Sequence, residues 1–102
     1  MNSQEASNKR HLARWNNAKR IGEKIKSFTD KGYLVYDGEG DLITDITINN
    51  QGVFATLDKS CQLSLFLNDI ELDNGMYTNI KEFNERFKSW TFAPVNKVRI
   101  FQ

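Results

Sequence analysis

The sequence contains one cysteine, Cys61, and one histidine, His11, in 102 residues. A single cysteine excludes a disulfide within the chain. One cysteine and one histidine are also fewer than the four ligands that structural zinc normally takes. A free thiol is typical of proteins that work in a reducing cytosol, so we expect a cytoplasmic location.

Long hydrophobic runs are also missing. The first ten residues, MNSQEASNKR, lack the apolar region of a secretory signal, and no later run approaches the length of a membrane span, so we expect no membrane association. The apolar content of 39% and charged content of 26% are ordinary for a soluble domain, and the length suffices for one core. We therefore predict a single α+β domain over 1–102, with residues 1–7 frayed.

Catalytic and cofactor motifs are absent as well. No GxSxG, HExxH, GxGxxG or GK[ST] sequence occurs. The segment Asp37–Asp41 spaces its carboxylates like the start of an EF-hand loop, but Leu42 and Ile48 replace that loop's glycine and glutamate, which favours a hairpin turn. Nothing places Cys61 near His11 as a nucleophilic pair, and we expect a solvated histidine. We predict a protein that is not an enzyme, with no cofactor and no metal.

An amphipathic helix is predicted from about Asn8 to Lys31. Gly32 follows as a glycine stop, with a cation in the last helical turn. Apolar residues recur at spacings of three and four, which places them on one stripe. They are Leu12, Trp15, Ala18, Ile21, Ile25 and Phe28.

Short β-type runs separated by turn residues follow, the pattern of an antiparallel meander. The predicted strands are Tyr33–Asp37, Leu42–Ile48, Val53–Asp58 and Gln62–Asn68. Strict alternation in the second strand places Ile46 on one face and Ile43 on the other. The third and fourth strands carry apolar residues on both faces, which favours central positions in the sheet or a covered second face.

A second helix is predicted after a loop over Asp69–Tyr77. Asn79 and Glu82 have the spacing of a capping box. Phe92–Pro94 ends this helix, and Val95–Phe101 forms a final strand. The fold class is therefore α+β: an N-terminal helix, a four-stranded antiparallel meander, a second helix and a C-terminal strand. The predicted core consists of Ile25, Ile46, Leu63, Leu65, Leu67, Phe83 and Phe87.

The net charge of +1 conceals a strong partition along the chain. Residues 1–31 carry eight Lys/Arg and three acids (+5), residues 32–79 one Lys and eight acids (−7), and residues 80–102 five Lys/Arg and two acids (+3). Such asymmetry indicates a charged partner on at least one side, or mutual neutralisation of the segments within the fold.

The acidic segment suggests a protein or nucleoprotein partner. Carboxylates on a rigid sheet can occupy a basic groove that otherwise holds phosphates. We therefore expect a non-enzymatic binding protein that inhibits or modulates such a partner through an acidic surface. The candidate residues are Asp37, Glu39, Asp41, Asp45, Asp58, Asp69, Glu71 and Asp73. In size, asparagine content and lack of an active site, the chain resembles phage or mobile-element inhibitors such as anti-CRISPR proteins.

The basic first helix supports an alternative, direct binding of RNA or DNA. Lysine and arginine would contact phosphates, and an aromatic residue could stack on bases. Trp15 also belongs to the apolar stripe, which favours a core position for it. The candidate residues for this alternative are Lys9, Arg10, Arg14, Lys19 and Arg20.

Overall fold

In the computed structural model, which describes residues 3–68 and 79–94, a long helix lies across one face of a five-stranded antiparallel sheet. The predicted α+β class and element order are confirmed. The elements are α1 (Ser3–Asp30), β1 (Leu34–Tyr36), β2 (Leu42–Asn49), β3 (Gly52–Leu57), β4 (Gln62–Leu67), α2 (Ile80–Glu85) and β5 (Thr91–Ala93). None of the helices in these ranges is long and apolar enough to cross a membrane.

The strand order is β4-β3-β2-β1-β5, so the first four strands form the predicted meander. The chain then returns through α2 to place β5 beside β1, where Val35 pairs with Phe92. In a meander, the β1–β2 and β3–β4 turns lie at one end of the sheet and the β2–β3 turn at the other. Among the described strands β3 is central, as one of the two alternatives predicted, whereas β4 lies at the edge, so a central position for β4 is wrong.

The C-terminal part differs from the prediction. Asn79 caps α2 as expected: its Oδ1 accepts the Glu82 N–H at 2.7 Å. However, α2 ends at Glu85, and a 3-10 helix over Arg86–Ser89 replaces its predicted continuation. Residues 91–93 then pair with β1 instead of ending a helix, because sheet pairing outweighs the helical spacing of the apolar residues. The predicted strand Val95–Phe101 lies outside the described residues.

Helix α1 begins at Ser3, five residues before the predicted start, and ends near Gly32, whose φ of +86° suits a glycine stop. The predicted stripe is corrected at Leu12, and His11 is added to it. Leu12 is 55% exposed, whereas His11 is only 9% exposed and its Nε2 lies 2.7 Å from Asn68 Oδ1. The buried stripe therefore runs through His11, Ala18, Gly22 and Ile25, and the prediction of a solvated histidine is wrong.

Two β-bulges decide which strand residues enter the core. Between the pairs Ile43↔Leu57 and Asp45↔Thr56, β2 has one extra residue, and both Ile43 and Ile46 are buried. Strict alternation had placed these two on opposite faces, and the bulge removes that alternation.

The second bulge lies between β3 and β4. Val53 pairs with Phe66 and Phe54 with Ser64, so Leu65 is the extra residue. Both Leu65 and Phe66 are buried as a result, while Leu63 is 37% exposed and Leu67 is half-buried. Of the predicted core, Ile25, Ile46, Leu65 and Phe83 are buried and Phe87 packs at its edge.

The opposite face of the sheet, here called the outer face, is formed by the alternate residues. Within residues 3–68 and 79–94, no helix packs on it, because α1 and α2 both lie on the core side. Its residues include Leu34, Tyr36, Leu42, Thr47, Phe54 and Ser64.

Candidate functional site

Two hairpin turns bring four of the predicted acidic residues to one end of the sheet. The β1–β2 turn carries Asp37, Glu39 and Asp41, and the β3–β4 turn carries Asp58. The two turns are directly connected, since the Asp58 backbone N–H donates to the Leu42 carbonyl at 3.0 Å. We call these four carboxylates the acidic end.

Asp37 organises the first of these turns. Its side chain is 9% exposed, and its Oδ1 accepts the backbone N–H groups of Glu39 and Asp41, both at 2.9 Å. The Gly40 N–H donates to the Asp37 carbonyl at 3.0 Å. These bonds form the predicted hairpin turn, and they fix the position of the whole turn.

The turn is also seated on the 3-10 helix. A Cβ added to Gly38 would lie 2.6 Å from Ser89 Oγ, so the two segments are in close contact. A cleft of about 440 Å³ opens beside this contact, lined by residues of the acidic end together with Leu63, Arg86 and Trp90. The acidic end is therefore a supported surface with an adjoining apolar and aromatic wall.

One lysine lies within the acidic end. Lys59 Nζ is 3.4 Å from Asp41 Oδ2, and this hydrogen bond, followed by the charge of Asp41, raises the pKa of Lys59. Glu39 and Asp58 are exposed, and no residue in the described ranges pairs with either carboxylate. These two carboxylates are thus the most available to a partner.

The other predicted acidic residues do not join this surface. Asp45 lies on β2, and its Oδ1 accepts from Lys26 Nζ of α1 at 3.1 Å. This hydrogen bond is the main cause of the raised pKa of Lys26, which also lies 4.0 Å from Asp30. The remaining candidates, Asp69, Glu71 and Asp73, lie outside the described residues.

The five basic candidates of α1 do not share one face. Lys19 Nζ lies 4.9 Å from the centre of the Trp15 ring, whereas Arg20 donates to Asn17 Oδ1 at 2.7 Å on the side that contacts α2. Four residues apart, Arg10 and Arg14 lie above one another on the helix. Lys9 is exposed.

Trp15 is half-buried and packs against the core. Its ring stacks on Phe66 with centres 5.7 Å apart and an interplanar angle of 20°. The Trp15 ring therefore packs against the sheet. The ring face that contacts Phe66 is not available to stack on a nucleic-acid base.

His11 and Cys61 lie at opposite ends of β4. His11 contacts Asn68 after the strand, and Cys61 precedes the strand, so roughly 20 Å of extended chain separates them. This separation excludes the nucleophilic pair. In the described part of the chain, no cluster of His, Cys, Asp and Glu has the arrangement of a metal site.

Sequence reasoning did not assign Lys59 or Trp90 to the site. The signal for Lys59 was its position as the one lysine of residues 32–79, next to Asp58. Trp90 had no such signal, because its spacing from Phe83 and Phe87 predicted a helical core position.

None of the family models, curated proteins or solved structures compared with this chain matches it.

Proposed function

We propose that this chain is a non-enzymatic binding protein that docks, through its acidic end, on the basic surface of a nucleic-acid-handling partner and blocks that surface. The observation that carries this proposal is the convergence of two hairpin turns that hold Asp37, Glu39, Asp41 and Asp58 together. Phage and mobile-element inhibitors such as anti-CRISPR proteins, which the chain resembles in size and composition, provide the biological setting.

The geometry of the acidic end suits a basic partner. Carboxylates accept charge-assisted hydrogen bonds from arginine and lysine, as phosphates do, so they can replace a nucleic acid in a basic groove. The hydrogen bonds of Asp37 and the contact of Gly38 with Ser89 hold the turn without the partner. A surface that is already ordered loses less entropy on binding.

The outer face supplies contact area beside these charges. Tyr36 and Leu42 immediately flank the β1–β2 turn and pair with each other across the sheet. Both are half-buried, so each still presents apolar surface. Interfaces commonly combine an aromatic or apolar centre with charged groups at the rim, and this combination supports a protein partner.

The alternative function, direct nucleic-acid binding by α1, has less support. Its five cations are distributed around the helix, and Trp15 is stacked on Phe66. Binding of this kind would depend steeply on salt and would occur with plain duplex or single strand.

The test compares two matched double variants as baits in a nuclease-treated lysate. Glu39→Gln/Asp58→Asn removes two exposed carboxylates, and Lys9→Gln/Lys24→Gln removes two exposed lysines of α1. We expect wild type and the lysine variant to retain the same nucleic-acid-binding protein, and the carboxylate variant to lose it. Single-stranded DNA should release the retained protein, because it competes for the same basic groove.

Two outcomes would contradict the proposal. One is undiminished capture by the carboxylate variant together with loss by the lysine variant. The other is direct binding of the purified chain to RNA or DNA at low salt, abolished in the lysine variant, which would establish α1 as the interface. Circular dichroism of both variants confirms that folding is unchanged.

A further inference from the structure

A second cleft lies on the core side of the molecule, between α1, the 3-10 helix and β5. It has a volume of about 340 Å³ and shares no residue with the acidic end. Its walls are mainly apolar and are formed by Ile21 and three aromatic residues, Phe28, Phe87 and Phe92. The volume falls within the range of small-molecule sites, which are commonly apolar with a few polar groups.

The aromatic walls are held in place by other rings. Phe28 contacts Phe92 with ring centres 4.9 Å apart, and it also packs edge-on against Tyr33 at 5.0 Å. Phe87 lies edge-on to Trp90 at 5.0 Å. Phe28 and Phe87 are therefore each supported by a ring outside the cleft, and Phe92 packs on Phe28.

The polar groups of the cleft are donors and cations. Lys24 lines it from α1 and Lys88 from the 3-10 helix, so two cationic side chains border the cleft. Lys88 contacts Glu85 at 2.8 Å, but both side chains are largely exposed, and such pairs are weak. Asn84 completes the lining; its Oδ1 accepts from Asn17 Nδ2 at 2.8 Å. Among residues 3–68 and 79–94, no carboxylate lines this cleft.

We propose that this cleft binds a small aromatic anion, a fused or substituted ring that carries a carboxylate or sulfonate group. The ring would pack against Phe28, Phe87 and Phe92, which favour offset or edge-on aromatic contacts. The anionic group would lie beside Lys24 and Lys88, which both line the cleft and can form charge-assisted hydrogen bonds with it. A volume of about 340 Å³ suits a bicyclic ring with one acidic group.

Charge complementarity distinguishes this occupant from others. A neutral apolar ligand would use the rings but not the two lysines, and a cationic ligand would be repelled by them. The proposal therefore predicts selectivity for the anion among molecules of the same shape.

The experiment is an NMR titration of the full chain with 2-naphthoate, 2-naphthamide and 2-naphthylmethylammonium. The Asn84 side-chain amide signals report directly on the cleft. We expect 2-naphthoate to shift them with a Kd of roughly 0.1–1 mM, as suits a ligand of this size. The neutral amide should bind about fivefold more weakly, and the cation more weakly still.

Variants then test the lysines. Lys24→Gln/Lys88→Gln should weaken 2-naphthoate about five- to tenfold and leave 2-naphthamide unchanged. Lys9→Gln/Lys81→Gln removes two exposed lysines that do not line the cleft and should leave both ligands unaffected. All four substitutions are at exposed side chains, so the fold should be retained.

Three results would overturn the proposal. Absence of Asn84 shifts with 2-naphthoate up to about 5 mM would show that the cleft does not bind the anion. Equal affinity for naphthoate and naphthamide would identify an apolar site without charge selection. Equal affinity of wild type and the Lys24/Lys88 variant for naphthoate would remove the assigned role of the lysines.

Discussion

Substitution of Gly22 by alanine tests how closely α1 approaches the sheet. Gly22 is buried in the middle of the helix, and a Cβ built there would lie 2.8 Å from Val53 Cγ1 and 3.2 Å from Ile48 Cδ1. Carbon atoms prefer about 3.5–4.0 Å, so the closer contact is short by about 0.7 Å. Val53 is fully buried and pairs with Ile48 and Phe66 on its two sides, so it has little room to move.

Two effects of opposite sign determine the result. Alanine is a better helix former than glycine, which alone would stabilise the protein by about 1 kcal/mol. Overpacking of a dense core typically costs about 1–3 kcal/mol. Since the contact is with a buried β-branched side chain, we expect the second effect to prevail, with a net loss of about 1 kcal/mol in the free energy of unfolding.

The assay is urea unfolding followed by circular dichroism, with wild type measured in parallel. Ala13→Gly is the matched control, because Ala13 lies on the exposed side of the same helix. That change should cost about 1 kcal/mol through helix propensity alone. It therefore calibrates the propensity gain that Gly22→Ala would deliver without the contact.

The two variants together separate packing from propensity. If Gly22→Ala raises the free energy of unfolding by the amount that Ala13→Gly lowers it, the added methyl group meets no neighbour. The described approach of α1 to Val53 would then be wrong.

The remaining predictions concern the core and one ion pair. Phe66→Ala should lower the free energy of unfolding by about 3–5 kcal/mol, because Phe66 is 1% exposed. Phe87→Ala should lower it by less, about 1–3 kcal/mol, because Phe87 is half-buried. Equal losses for the two variants in urea unfolding would contradict this packing. The hydrogen bond to Asp45 raises the pKa of Lys26 above its usual 10.5, so the pair stabilises the fold below that pH and loses its effect as the pH rises through the raised pKa. The difference in Tm between wild type and Lys26→Met should therefore be larger at pH about 8 than at pH about 11.5, and a constant difference would refute the assignment.

Local signals predicted much of the fold from the sequence. Asn79 and Glu82 identified the start of α2, and Gly32 identified the end of α1. Such features depend on hydrogen bonds and φ angles within a few residues, which the sequence encodes directly. The meander was readable for the same reason, since turn residues separate its strands.

Features set by distant contacts were not readable. The bulges near Thr44 and Leu65 insert one residue each and change which side chains enter the core, and no local pattern marks them. His11 enters the core in place of Leu12 because Asn68 satisfies its ring nitrogen.

In the candidate site, too, the sequence predicted the local features but not those that depend on distant contacts. Glu39, Asp41 and Asp58 were identified by their charge, but their proximity depends on the alignment of two hairpins, and the pairing of Asp41 with Lys59 emerges only from that alignment. Asp45 was grouped with them on charge alone, and the fold pairs it with Lys26 instead.

The most direct test of the acidic end as the docking surface is the affinity of the captured partner for two variants. With the partner purified, Kd is measured at low salt for wild type, Glu39→Gln/Asp58→Asn and Lys9→Gln/Lys24→Gln. Each exposed charge contributes at most about 1 kcal/mol, so we predict a loss of roughly tenfold for the carboxylate variant and no loss for the lysine variant. Unchanged affinity of the carboxylate variant, with a loss for the lysine variant, would contradict the account.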